Sequence, residues 1–318
     1  MEFDSSSSSS DDEVFDLLGA VDRVKVFRAR PNPFEKYSRA EFRARYRFSP
    51  ETIFLIGAFQ ILVGDDYGIH KSTVSRVIEK VSECLAELRP NFVKMPESNA
   101  EKVKVKQGFY AIGNFPNVIG CVDGSHIPIE SPGGDNAELF RNRKSFFSIN
   151  VQAVCDSSLF IRDIVVRWPG STHDSTIWNS SLVGARFEAG DFQGSFILGD
   201  SAYRCTSYCM TPLLNPETQS EIAYNKSHIK TRNCIERCFG VWKRRFPCLY
   251  LGLRTKLETS LTIIVATSVL HNIAVKENDP SDDFEEDHNI PAMDVEMLQG
   301  VNEENGNVRR GLIETAFR

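Results

Sequence analysis

The chain has 318 residues, 41% hydrophobic and 25% charged, enough to bury the core of one large domain with a smaller one or tails attached. Its 37 Lys and Arg against 43 Asp and Glu give a formal charge of −6, which argues against indiscriminate nucleic-acid binding by net charge alone. No apolar run precedes the serine tract at residues 5–10, so no signal peptide is expected; the longest apolar run, near residues 261–270, is about half a membrane span; and eight cysteines outside a secretory context read as reduced thiols. A soluble, intracellular chain is the expectation.

In chain order, residues 1–13 are Ser-rich and acidic and cannot repay the entropy of ordering, so they read as a disordered tail. Residues 14–96 read as a helical, helix-turn-helix-like region. Basic and aromatic residues mix up to residue 47, with Pro31 and Pro33 interrupting short helical pieces. Ser49-Pro50-Glu51 resembles a cap followed by proline in a first helical turn. Residues 68–76 (GIHKSTVSR) read as a turn delivering a second helix, with Val74, Val77, Ile78 and Val81 inward and Ser72, Thr73, Ser75 and Arg76 outward. That pattern suits a recognition helix, and equally an ordinary amphipathic helix with a Ser/Thr start. Residues 90–96 form a linker, and Lys102, Lys104 and Lys106 alternating with Val103 and Val105 predict an edge strand or an extended basic arm.

The richest segment begins at residue 118. An apolar run carries Asp123-Gly124 and then alternates, which predicts a central strand with an acid on it. Residues 148–155 and 159–168 are β-rich runs split by Asp156-Ser157-Ser158, a hairpin. Residues 168–175 (WPGSTHDS) lead into a helix with Asp174 near its start, and residues 196–198 form a short buried strand followed by Asp200. Helices centred on Glu236 and over residues 261–275 complete an α/β domain, a mixed sheet flanked by helices.

The helix at residues 232–246 repeats Ile235, Cys238, Phe239, Trp242 and Phe246 at helical spacing, so one face is buried. From residue 226 to 256 there are nine Lys and Arg and one acid, Glu236, whereas residues 276–304 hold eleven acids and one base. The net acidity therefore belongs largely to a C-terminal stretch, residues 277–318, expected to be a flexible tail. Read singly, Asp123 is a turn residue, Asp174 a helix cap, Asp200 an Asx turn and Glu236 the partner of Arg232. Read together, acids from two strands and two helices can meet at one sheet edge. Two carboxylates 4 Å apart repel by roughly 4 kcal/mol at an effective dielectric near 20, so a hard divalent cation, Mg²⁺ or Mn²⁺, is expected to offset them. The basic helix would then contact phosphates. Cys205, Cys209, Cys234 and Cys238 leave a structural zinc as an alternative.

Residues 120–129 (GCVDGSHIPI), 168–175 (WPGSTHDS), 199–203 (GDSAY) and 224–249 (YNKSHIKTRNCIERCFGVWKRRFPCL) closely resemble the Harbinger transposase-derived nuclease family of DDE superfamily endonucleases. The likeness runs from about residue 105 to 276 and includes residues 268–274 (SVLHNIA). It implies an RNase H-like nuclease domain over residues 97–276, with Asp123, Asp200 and Glu236 as the catalytic triad and Asp174 as a further metal ligand. It also implies a divalent metal cofactor, DNA as substrate, a separate Myb-like DNA-binding partner, and a nuclear protein that also visits the cytoplasm. No membrane partner is expected, and an oligomer is compatible. On this basis Arg76, Arg232, Lys243, Arg244 and Arg245 are the expected DNA contacts, and His126 an orienting residue. The competing reading is a catalytically silent descendant acting as a DNA-binding or protein-interaction module. One departure stands out: the family has a longer helical stretch between the segments matching residues 46–52 and 64–76, where this chain has only about a dozen residues, so the DNA-binding unit is expected to be shortened.

Overall fold

The computed structural model describes residues 37–46, 49, 71–279 and 306–317. The chain divides into Met1–Ser38 and Arg39–Arg318, and every strand and helix named below belongs to the second unit. Its centre is a five-stranded mixed sheet in the order β3-β2-β1-β4-β5, built from β1 (Val118–Pro128), β2 (Ser148–Cys155), β3 (Ile161–Pro169), β4 (Phe196–Leu198) and β5 (Cys209–Met210). β1, β2 and β3 run antiparallel, while β4 lies parallel to β1 and β5 parallel to β4. This is the α/β mixed sheet that the strand pattern predicts.

Ten α-helices are described: α1 (Arg39–Tyr46), α2 (Lys71–Glu87), α3 (Arg89–Phe92), α4 (Asn99–Gly113), α5 (Asp174–Asn179), α6 (Leu182–Glu188), α7 (Gln219–Arg245), α8 (Cys248–Leu251), α9 (Leu257–Lys276) and α10 (Gly306–Ala316). α4 and α7 pack on β1, α9 packs on β3, α2 packs on α9, and α5 meets β2. The Lys/Val alternation at residues 102–106 is helical, inside α4, rather than a strand or an arm. Ser98 and Glu101 form a capping box, Val105 and Phe109 bury the i, i+4 face, and Lys102 and Lys106 turn outward to the Asp191 and Gly194 carbonyls. In α2, Lys71 onward is helical, and the turn and helix expected before it lie outside the described residues. Val77 and Ile78, expected inside, are exposed.

α9 is long and apolar enough to cross a membrane by length and composition alone, but most of it is buried in the fold. Asn272 donates to the Ile161 and Phe92 carbonyls at 2.7 and 2.8 Å and accepts from the Ile161 amide at 2.8 Å, fixing the helix to β3. The C-terminal stretch is not a tail throughout. α10 packs on α7, and Phe317 meets Phe115 and Tyr224 with ring centroids 5.4 and 5.5 Å apart. An apolar i, i+4 pair, Ile313 and Phe317, is what returns the end of an acidic segment to the core.

The four cysteines of the zinc alternative do not meet. Cys209 starts β5 at one edge of the sheet, whereas Cys234 and Cys238 of α7 sit against Cys121 and Cys155, which face one another across β1 and β2.

Candidate active site

Two acids are placed by sheet register. β4 pairs with β1 only as far as Cys121 opposite Leu198, while β1 runs on beside β2 to Pro128 opposite Ser148. Asp123 and Asp200 each lie two residues beyond that last parallel pair, at the mouth of the crevice that opens where β1 and β4 part. Crevices outside the carboxyl ends of parallel strands are where open α/β sheets bind ligands. Asp123 is therefore a mid-strand residue and not a strand end, because β2 keeps β1 extended after β4 has stopped.

α7 brings the third acid. Thr218 and Glu221 cap it with a reciprocal box, and its buried side, Tyr224, Thr231, Ile235, Cys238 and Trp242 among others, recurs at helical spacing for 27 residues. Arg232 lies over Asp123, donating from Nη1 to Oδ2 at 3.0 Å, and its Nη2 is bound to Glu236 one turn on. The guanidinium thus joins the first and third acids. The side chains of Arg232 and Asp123 are only 14% and 18% exposed, while Glu236 at 44% opens to solvent. Burial raises the Asp123 carboxyl to about 7, against the pull of Arg232 and with Asp200 and Asp174 adding to the rise. Burial likewise raises Asp200, opposed by the Ala202 amide and Arg232.

Asp174 approaches from the other face. Successive strand residues project to opposite faces, so Gly124 points away from α7. A Cβ on Gly124 would land on the Asp174 carboxylate, which occupies the space that the glycine leaves. Asn150 donates to Asp174 Oδ1 at 2.8 Å and to the Thr172 carbonyl at 2.9 Å, fixing the start of α5. All eight residues of β2 are buried although the sequence alternates, because its polar row, Ser148, Asn150 and Gln152, lies on this second face. Gln152 accepts from the Tyr203 hydroxyl at 3.5 Å, and Ser148 holds His126 Nδ1 at 3.0 Å.

The DDE superfamily endonuclease family matches residues 122–272, a span that contains all four acids. "Putative nuclease HARBI1" of Bos taurus is 36% identical over 249 residues, 75% of this chain and 71% of that protein, and its Homo sapiens counterpart is 35% identical over the same shares. "Protein ALP1-like" of Arabidopsis thaliana is 25% identical over 237 residues, 69% of this chain and 57% of that protein. The chain belongs to the Harbinger transposase-derived nuclease family. No solved structure matches it.

Membership gives a nuclease-related function. Among the described residues no three His, Cys, Asp or Glu side chains stand together as a ready metal-binding group. The donor set nevertheless fits a hard cation. Asp123 and Asp200 are carboxylates that burial and mutual repulsion push toward neutrality, and the positive charge now beside Asp123 and Glu236 is a side chain.

Arg232 is thus a partner of the acids rather than an outward DNA contact. Lys243 donates to the His126 carbonyl at 3.0 Å, and Arg245 is buried with Nη2 on the Asp279 carbonyl at 3.0 Å. Both were expected on DNA; the packed side of α7 takes them because a 27-residue helix turns its basic last turn under β1 and the Asp279 segment. Arg244 is exposed. Arg76 is exposed too, but on α2, whose packing partner α9 lies along β3, on the opposite side of the sheet order from β4. His126 is half-buried, and burial lowers its affinity for a proton while Asp174 opposes the shift.

Sequence pattern alone does not single out Asn142, Ser148, Asn150 and Gln152, or the basic loop at residues 141–145. The strict alternation of residues 148–153 was the available signal: a strand at the sheet centre with amides on one side must have polar partners there.

Proposed function

We propose that this Harbinger-family chain is a divalent-metal-dependent endonuclease that hydrolyses DNA phosphodiester bonds on an RNase H-like domain. The observation that carries the reading is the common register of Asp123 and Asp200 at the open crevice, with Glu236 joined to Asp123 through Arg232. Asp123, Asp200 and Glu236 would hold the ion, and Asp174, on the far face, would set the position of β1 beneath them. When bound, Mg²⁺ or Mn²⁺ supplies a Lewis acid and an activated water for phosphodiester hydrolysis. The chain's own residues do the rest. Burial makes Asp123 and Asp200 poor hosts for their own charge, so they favour a cation. Lys243 fixes the His126 carbonyl and with it the far end of β1. On this reading the substrate is nuclear duplex DNA, and a Myb-like partner supplies sequence recognition, because the cations near the acids suit phosphates rather than base edges.

The test is Asp200→Asn. Cleavage of duplex DNA in Mn²⁺ should fall by on the order of 10³-fold, the scale of losing one charge-stabilising group, and Mn²⁺ binding by calorimetry should weaken with it. Unchanged binding and cleavage would overturn the proposal. A second reading, a catalytically silent DNA-binding or interaction module, is favoured by one feature: Arg232 occupies the space between Asp123 and Glu236 and pairs with both. That reading expects no Mn²⁺ uptake by the wild-type chain.

A further inference from the structure

The bases expected to hold DNA on α7 are largely engaged inside the fold, yet a second basic element stands beside the segment that delivers Asp174. Residues 141–145 (RNRKS) form a turn just ahead of β2, and its shape is fixed from within. Buried Asn142 accepts the Lys144 and Phe146 amides on Oδ1 at 2.9 and 3.4 Å and donates from Nδ2 to Ser148 Oγ at 3.0 Å. Ser148 Oγ also shares a hydrogen bond with His126 Nδ1 at 3.0 Å. Arg141 is bound to Glu138, donates to the Ser145 carbonyl at 3.0 Å and stacks 4.4 Å over Phe147. Ser145, at φ 65°, closes the turn.

What this turn leaves outside is Arg143 and Lys144, both exposed. It also leans on the segment that delivers Asp174. The Ser171 amide donates to the Leu139 carbonyl at 3.1 Å, and Arg143 Nη2 donates to His173 Nδ1 at 2.7 Å, one residue before Asp174. The charges of the same two bases also reach His126, where they add to the effect of burial in lowering its affinity for a proton. A guanidinium set in orientation by a histidine, next to an ammonium on a turn held by a buried amide, loses little freedom on meeting an anion.

We infer that Arg143 and Lys144 bind phosphates of the DNA on the Asp174 side of the crevice, so that this turn and not the end of α7 is the principal backbone contact. This rests on the nuclease reading for its substrate. It also explains how an acid-lined crevice tolerates a polyanion: positive charge flanks it on the Asp174 side, while Arg232 serves the α7 side.

The test is binding of the full chain to duplex DNA by fluorescence anisotropy over a salt series, without divalent metal so that no strand is cut. Mn²⁺-dependent cleavage is assayed in parallel. Arg143→Ala with Lys144→Ala should lower the slope of log affinity against log salt by about 2, roughly 0.9 for each lost phosphate contact, whatever the DNA sequence. The pair Arg143→Lys with Lys144→Arg should keep the slope, and so should Lys104→Ala, an exposed lysine on α4. A double-alanine variant that keeps its thermal midpoint and the wild-type slope overturns the inference, even where cleavage persists and the nuclease reading stands. A wild-type chain that shows the slope and its loss in the variant, but cuts nothing, leaves the phosphate contact in place and removes the nuclease. A wild-type chain that neither binds nor cuts DNA overturns both.

Discussion

The two faces of the sheet around Asp123 and Gly124 hold negative charge by different means. On the α7 face Asp123 and Glu236 are held by a guanidinium, a charged partner. On the α5 face Asp174 is held by the neutral amide of Asn150 and by the space that Gly124 leaves, a fixed geometry with no charge to exchange. One pair of neighbouring residues on one strand therefore divides the work. The first face balances charge with charge, and the second holds the strand by packing and a neutral hydrogen bond.

The comparison breaks most visibly at Arg232. Arg232→Met removes the cation from a largely buried pair, and about 3 kcal/mol of stability should go with it, read as a lower urea midpoint in metal-free buffer. Added Mn²⁺ should restore part of the loss if the acids trade one cation for another; no recovery would mean that the guanidinium is structural. His228, one turn before Arg232 on the same helix, offers an effect of comparable size spread over a pH window. Its Nε2 donates to the Met210 carbonyl at 3.0 Å, and burial holds its pKa near 4 against an ordinary 6.5. The unfolded chain therefore takes up the proton first. Stability should be full above pH 6.5 and fall as the pH drops from 6.5 toward 4, by up to about 1.4 kcal/mol per unit, and His228→Gln should flatten that window in thermal melts.

On the α5 face the effects are smaller. Gly124→Ala sets a methyl group against the Asp174 carboxylate and should cost about 1–3 kcal/mol, with Mn²⁺ having no power to restore it. A melting temperature equal to wild type would show that Asp174 moves freely and that the second face is not fixed. Smallest is Asn150→Ala, which frees Asp174 and the Thr172 carbonyl. About 1 kcal/mol of stability should be lost in thermal melts, and added Mn²⁺ should leave that loss unchanged.

Much of this was legible in the chain. The strands around residues 118–128, 148–155 and 196–198 announce themselves by apolar runs and alternation, and Asp123, Asp200 and Glu236 stand out because each interrupts such a pattern. Expectation and structure part where local pattern and packing disagree. Lys102 to Lys106 alternate like a strand, but a capping box three residues apart and the burial of Val105 and Phe109 make a helix. Residues 277–318 are dominated by acids, yet Ile313 and Phe317 suffice to dock α10. Lys243 and Arg245 look like surface bases because sequence shows a charge and not the carbonyl it meets.

The sequence by itself determined which segments become strands and helices, since apolar period and caps act over a few residues, and it determined which acids stand apart from their surroundings. Only the tertiary structure decided which cations serve those acids and which serve the fold. Register between β1 and β4, the pitch of α7 over Asp123 and the turn at residues 141–145 are set by contacts between segments tens of residues apart. A side chain's charge is written in the chain, but its partner is chosen by distance.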